Sequence, residues 1–255
     1  MSFGIFVGIN NHGKTIMFGC ALLRNETRET FRWLMKKFVS IMGKPPITIL
    51  TDQDPWLTEA IGLELPSTKH SFCIWHITSK FSGWFLLVLR RKYFEWFSEF
   101  YRLYRLETIE ESEHEWPIAI SKYKLNDNSH INGLYDVRTV WVPAFLRDYF
   151  FGGMTTTGRS ESINAFVKRF INSHITLRQF LEQLDLAVET IRQKEAHDSM
   201  LEKHKFPILK IMSPLEGQFQ KILTPYAYEM FREELGRESQ YEVFTHFSFE
   251  YILRY

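Results

Sequence analysis

Two acids stand where a divalent cation could be held. Asp52 lies in Ile49-Leu50-Thr51-Asp52-Gln53-Asp54, directly after an apolar run, and Glu161 lies in Thr157-Gly158-Arg159-Ser160-Glu161-Ser162, where a helical pattern begins. An acid that ends a buried strand and an acid that opens a later helix can meet at one sheet edge, and Mg²⁺ is bound by such carboxylate oxygens. Phosphoryl transfer with two cations about 3.5–4 Å apart needs more carboxylates than two. The first strand, Phe3-Gly4-Ile5-Phe6-Val7-Gly8-Ile9, carries none. One weak Mg²⁺ site made by Asp52 and Glu161 is therefore expected, and a second cation is not. Each acid also has a plainer reading. The Asp52–Asp54 segment can cap the helix that follows Pro55, with Asp54 the better placed of the two, and Glu161 in a first helical turn complements the helix dipole.

Cys73-Ile74-Trp75-His76 has the spacing of half a zinc site, with His70, His12 and Cys20 as the nearest further ligands. The alternative is a buried core cysteine beside a histidine at a helix start. Two basic stretches could meet phosphates. One carries Lys80, Arg90, Arg91, Lys92, Arg102 and Arg105, interleaved with aromatic residues at helical spacing. The other, residues 159–178, carries Arg159, Lys168, Arg169 and Arg178 beside Glu161, and its Gly-containing approach Thr156-Thr157-Gly158 lets a backbone come close to a phosphate. A solvated charged face is the default for both.

Composition sets the frame for these residues. The chain has 255 residues, 45% hydrophobic and 16% aromatic, enough for a packed core and against global disorder. The formal charge is only +1, so any nucleic-acid surface must be local. The two cysteines make no disulfide framework. The longest apolar stretch, Phe81–Leu89, is interrupted by Ser82 and Gly83 and closed by Arg90, too short to span a bilayer. No basic-then-apolar leader follows Met1, and an intracellular protein with no membrane partner is the simplest expectation.

The elements that must position the acids come in a definite order. Residues 3–9 and 15–23 read as a hairpin around Asn10-Asn11-His12-Gly13. A helix is predicted over 27–42, stopped by Gly43 and the Pro45-Pro46 pair, then a strand over Ile47–Thr51, a helix from Pro55 to about Leu63, and a strand over Lys69–Trp75. Residues 77 to about 150 read as aromatic-rich helices, with Glu107–Glu115 as an acidic turn region and Asn126–Ser129 as a loop. Helices are predicted at about 159–172 and 176–195, the second with a stripe of Leu177, Phe180, Leu181, Leu184, Val188 and Ile191. A helix near 225–236 and a strand at Tyr241–Phe247 close the chain. A hairpin followed by alternating helices and strands argues for a mixed α/β sheet.

Taken together, five segments resemble the Mutator-like element (MULE) transposase domain: Phe6–Gly13, Phe18–Leu23, Thr51–Asp54, Cys73–His76 and Thr156–Asn164. The best resemblance is to its domesticated plant branch, the far-red-impaired-response and far-red-elongated-hypocotyl group of transcription regulators. It implies a ribonuclease-H-like α/β core, here with its first strand missing, and an all-helical insertion. The divisions it implies are 1–76 for the first part of the core, 77–152 for the insertion, 153–200 for the last core helices and 201–255 for an extension. It makes Asp52 the second metal-binding acid and Glu161 the last, and it matches Cys73 and His76 to the family's Cys-x-x-His. The family's first acid, its N-terminal zinc-dependent DNA-binding module and its C-terminal zinc finger have no counterpart in this sequence.

The function this implies is that of a transposase-derived, DNA-associated transcription regulator of the nucleus, catalytically inactive, with zinc at Cys73 and His76 and phosphate contacts from Arg159, Lys168 and Arg169. Two alternatives stand beside it. One is an active Mg²⁺-dependent transposase or nuclease completed by a partner. The other is an interaction module that associates with itself or with related family members.

Overall fold

The computed structural model describes residues 2–167, 176–203, 214–238, 242–245 and 251–254. The chain forms two compact units, residues 1–4 with 19–161, and residues 5–18 with 162–255. It is mixed α/β, with helix dominant and each sheet only two strands wide.

Strands β1 (Ser2–Ile9) and β2 (Thr15–Leu23) pair as the expected hairpin. The Asn10 amide donates to the Lys14 carbonyl at 2.9 Å, and the Asn10 side-chain oxygen accepts from the His12 and Lys14 amides at 2.9 and 3.0 Å. Gly13 takes φ 71°, which glycine adopts without steric cost.

In the first unit, α1 (Arg28–Met42) is capped by Thr27 and closed by Gly43 in the left-handed region, φ 77°. It buries Phe31, Leu34 and Met35. Strand β3 (Thr48–Thr51), helix α2 (Pro55–Glu64) and strand β4 (Lys69–Phe72) form a β-α-β unit, with β3 and β4 parallel and Thr51 opposite Phe72. Strand β4 ends three residues before the predicted Trp75. Cys73 instead takes the capping position of a short helix, α3 (Ile74–Thr78), which carries Trp75 and His76. Nor do the strands join in the single mixed sheet expected: β1–β2 and β3–β4 are separate pairs.

Helices then follow without a strand: α4 (Phe81–Leu89), α5 (Tyr93–Tyr104), α6 (Ile109–Lys122) and α7 (Ser129–Asp136). The predicted acidic turn at Glu107–Glu115 is in fact the start of α6. Thr108 and Glu111 form a capping box there, and acids in a first turn complement the helix dipole. Asn128 caps α7 as part of the predicted loop. The aromatic residues form the core: Phe81 meets Phe100 at 4.6 Å, Phe85 meets Trp96 at 5.9 Å, and Phe100 stacks on Trp141 at 5.4 Å. Rings separated by 4.5–7 Å add attraction beyond their burial. Their pairing makes α4 and α5 an antiparallel helical hairpin.

In the second unit lie α9 (Leu177–Lys203), preceded by α8 (Gly158–Val167), and then α10 (Pro214–Ile222) and α11 (Pro225–Glu238). Strands β5 (Glu242–Thr245) and β6 (Tyr251–Arg254) pair antiparallel. Of the α9 stripe, Leu184 and Ile191 are buried with Ala187, whereas Leu181 is 52% exposed. The buried face thus passes through a small residue that a search for large apolar side chains overlooks. Asn10 reaches α9, donating to Glu195 Oε1 at 2.5 Å and to Ser199 Oγ at 3.2 Å. The Thr224 hydroxyl donates to the Asn11 carbonyl, and the Tyr226 ring lies over Gly13, within 2.5 Å of where a Cβ would stand.

Candidate functional site

The candidate site grows from the parallel pair β3–β4. Both chains leave their strands at the same end, one into Asp52 and the other into Cys73. The Cys73 amide donates to the Thr51 carbonyl at 2.7 Å, so the turn after β4 is tied to the residue before Asp52. The Ile74 amide donates to the Thr155 carbonyl at 3.1 Å, which draws the segment leading into α8 onto the same corner. Ligands of α/β folds commonly bind beyond the carboxyl ends of such strands.

Thr157 joins the residues at this corner. Its amide donates to Cys73 Sγ at 3.3 Å. Its hydroxyl lies 3.4 Å from Cys73 Sγ, 3.3 Å from His76 Nδ1 and 3.1 Å from Glu161 Oε1. His76 Nε2 is 3.8 Å from the same Glu161 oxygen. Cys73 is fully buried, and its sulfur accepts a backbone hydrogen bond. Glu161 therefore turns toward Cys73 and His76, a grouping that its place in the sequence did not suggest. Thr157 carried no signal of its own: threonine fits a loop before a helix for several reasons, and its three partners come from distant segments.

The two aspartates after β3 divide their roles. Asp54 Oδ1 accepts from the Leu57 amide at 2.8 Å and caps α2, as its place before Pro55 implied. Asp52 is exposed, and among the described residues its carboxylate has only a long contact, 3.4 Å, with the Asp54 amide. Beneath it, the Thr51 hydroxyl lies 2.7 Å from the Asp52 carbonyl and 2.7 Å from His70 Nε2. A hydroxyl has one proton. With that proton given to the carbonyl, Thr51 Oγ1 accepts from His70 Nε2–H. Burial pushes the His70 pKa down to about 4, so the ring is neutral near pH 7 and fills this donor role. Tyr104, hydrogen-bonded to Thr155, is pushed up to about 12, chiefly by burial.

Beside Asp52, Gln53 Oε1 accepts from Lys80 Nζ at 2.8 Å. The Lys80 ammonium lies 5.9 Å from the Trp84 ring centre, and Trp84 stacks on His130 at 4.4 Å with planes 7° apart. A cation and two aromatic rings thus continue from the acid-bearing turn along the helices.

The metal expectations meet this geometry unevenly. Among the described residues no group of three or more His, Cys, Asp or Glu side chains is disposed to hold a metal ion. The residues at Cys73 and His76 do not make the four-ligand shell of structural zinc; a threonine hydroxyl stands among them, and His70 is engaged with Thr51. His12 Nδ1, in the second unit, is buried and has no hydrogen-bond partner among the described residues. Arg159 is half-buried on α8 two residues before Glu161. Lys168 and Arg169 lie outside the described residues.

The parallel β3-α2-β4 unit thus brings the turn carrying Asp52 and the segment leading to Glu161 to one end of its strands. Comparison with known proteins adds to this. Residues 1–80 match the MULE transposase domain. The chain is 41% identical over 245 residues to Protein FAR1-RELATED SEQUENCE 11 of Arabidopsis thaliana, covering 96% of this chain and 36% of that protein. It is 37% identical to Protein FAR1-RELATED SEQUENCE 5 (92% of this chain, 30% of that protein) and 35% identical to Protein FAR-RED IMPAIRED RESPONSE 1 (91% and 28%), both from Arabidopsis thaliana. The chain spans about a third of the length of these curated relatives. Over most of its length the chain is similar to the FAR1-related proteins, and over its first 80 residues to the MULE transposase domain.

Proposed function

We propose that this chain is the transposase-derived core of a nuclear, DNA-associated transcription regulator that works without phosphoryl-transfer chemistry. The observation that carries the reading is the donor set at the β3–α8 corner. Asp52 and Glu161 are the carboxylates that the resemblance assigns to it, and among the described residues Glu161 is turned to Thr157 and His76. Two carboxylates can share one weakly held Mg²⁺, whereas two-metal catalysis needs more. The β3-α2-β4 unit is the part of a ribonuclease-H-like core that would hold Asp52, and the helices from α4 to α7 correspond to the insertion such a core carries.

In this reading the acids are a remnant and basic residues do the work. Arg159 contacts phosphate, the resemblance adds Lys168 and Arg169, which lie outside the described residues, and counterion release makes the affinity fall steeply with salt. Zinc on Cys73 and His76 would require Thr157 to give way and further ligands to arrive, so no role is built on it.

The test is a pair of assays on the same duplex DNA. Binding followed by fluorescence anisotropy is expected to weaken with salt and with Arg159→Ala, and to be unchanged by Asp52→Asn. Nicking in Mg²⁺ is expected to be absent. Mg²⁺-dependent nicking abolished by Asp52→Asn would show that the chain is an enzyme and overturn the proposal. Absence of DNA binding at low salt would overturn the DNA-associated role.

A further inference from the structure

Helix α4 is apolar nearly all round, Phe81-Ser82-Gly83-Trp84-Phe85-Leu86-Leu87-Val88-Leu89, yet only one side of it is covered. Phe81, Phe85 and Leu89 are buried in the aromatic core. Leu87 is 85% exposed, Val88 59% and Leu86 44%, and Phe94, across the turn on α5, is 74% exposed. A helix apolar on every side is normally covered on every side. Scattered exposed leucines need no explanation, but four large apolar residues grouped at the end of one helical hairpin do.

The turn between the helices is as distinctive as its flanks. Arg90, Arg91 and Lys92 follow one another there, all exposed, and none makes an ion pair among the described residues. Arg90 sits at φ 49°, a left-handed conformation unusual for a residue with a Cβ. Beside Phe94 opens a surface groove of about 630 Å³, also lined by Glu95, Ser98, Glu99, Arg102, Lys122 and Tyr123. Its Glu99 is paired with Arg102, and Glu95, in the first turn of α5, is the acid nearest the three cations in sequence.

We propose that the outer tip of the α4–α5 hairpin docks an acidic amphipathic helix of a partner protein, whose apolar stripe covers Leu86, Leu87, Val88 and Phe94 while its carboxylates meet Arg90, Arg91 and Lys92. Complementarity in two properties selects this occupant. Duplex DNA would satisfy the three cations but would lay a charged backbone over four apolar side chains. An apolar surface without charge would cover the side chains and leave the cations unmatched. An acidic helix with anchors at three- and four-residue spacing does both, in the manner of helix-in-groove recognition. The proposal stands apart from the β3–α8 corner and does not depend on the DNA reading.

The experiment uses the full chain and a labelled synthetic helix with leucine on one face and glutamate elsewhere. A matched peptide with lysine for glutamate and a duplex DNA serve as comparisons. The glutamate peptide is expected to bind, to lose at least tenfold in affinity with Leu87→Glu and with the pair Arg91→Glu and Lys92→Glu, and to outbind the lysine peptide by a similar factor. Val88→Asp provides a second apolar lesion, and thermal melts check that each variant folds. Equal binding of the two peptides, or indifference to both Leu87→Glu and Val88→Asp, overturns the proposal. So does self-association in sedimentation velocity that Leu87→Glu abolishes, which would make the tip an interface between copies, and so does DNA binding lost with the same variant.

Discussion

Thr157 brings a sulfur, an imidazole and a carboxylate together through one hydroxyl and one amide. Removing that hydroxyl leaves its neighbours without a shared partner, but Cys73 keeps its bond from the Thr157 amide and Glu161 is exposed. Thr157→Val is therefore expected to lower stability by about 0.5–1.5 kcal/mol in denaturant melts, the net worth of an ordinary hydrogen bond, and Thr157→Ser to restore most of it. His70 adds a pH dependence whose sign follows from its burial. Its folded pKa, about 4, lies below the ordinary value of 6.5. Above pH 6.5 neither state is protonated at this ring and its contribution is intact. Between 6.5 and 4 the unfolded chain takes a proton that the folded chain refuses, so stability falls as the pH falls. One pKa unit corresponds to about 1.4 kcal/mol, so a shift from 6.5 to about 4 makes the loss on the order of 3 kcal/mol. Denaturant midpoints across that window should show the slope, and His70→Gln should flatten it. The acids at Asp52 and Glu161 were legible in the sequence because their types and flanking patterns are distinctive. The alliance of Glu161 with Cys73 and His76 was not, because it depends on how one loop crosses the end of β4.

At the scale of elements, local chemistry decided most boundaries. Thr27, Asp54 and Asn128 cap α1, α2 and α7, and Gly43 ends α1. The acidic run after Glu107 reads as a turn by its charges alone, but the cap before it decides otherwise. With Thr108 and Glu111 in place, those charges favour a helix start. Capping side chains are worth about 1 kcal/mol each. Asp54→Ala is accordingly expected to destabilise the protein by about 1 kcal/mol and Asp52→Ala hardly at all. A comparison of the two by thermal melting separates the structural aspartate from the remnant one. Strand β4 gave way earlier than its pattern suggested. Ile74 and Ile77 are buried from a helix there, and apolar spacing over so few residues fits either element. That the strands would pair two by two was beyond any reading of periodicity, since pairing depends on partners far along the chain.

For the whole molecule, the division into units does not follow the order of the chain. Residues 5–18 belong with residues 162–255, and the hairpin turn is held by α9 and by the segment before α11. Asn10 carries much of that attachment, through Glu195 and Ser199, and also orders its own turn. Asn10→Ala removes four hydrogen bonds and is expected to cost about 2 kcal/mol, at about 0.5 kcal/mol for each of these part-buried bonds. For a chain of this size that lowers the melting temperature by roughly 4–8 °C.

The same attachment sets a schedule for biosynthesis. Asn10 leaves the ribosome 185 residues before Glu195 does. At about 5–20 residues per second, the hairpin waits on the order of 10–40 seconds for its partners to be translated. During that interval its strands present an unfinished edge in a crowded cytosol, open to pairing with other nascent chains. Slowing elongation late in the message should therefore raise the aggregated fraction, whereas a chaperone that shields extended segments near the exit tunnel should lower it.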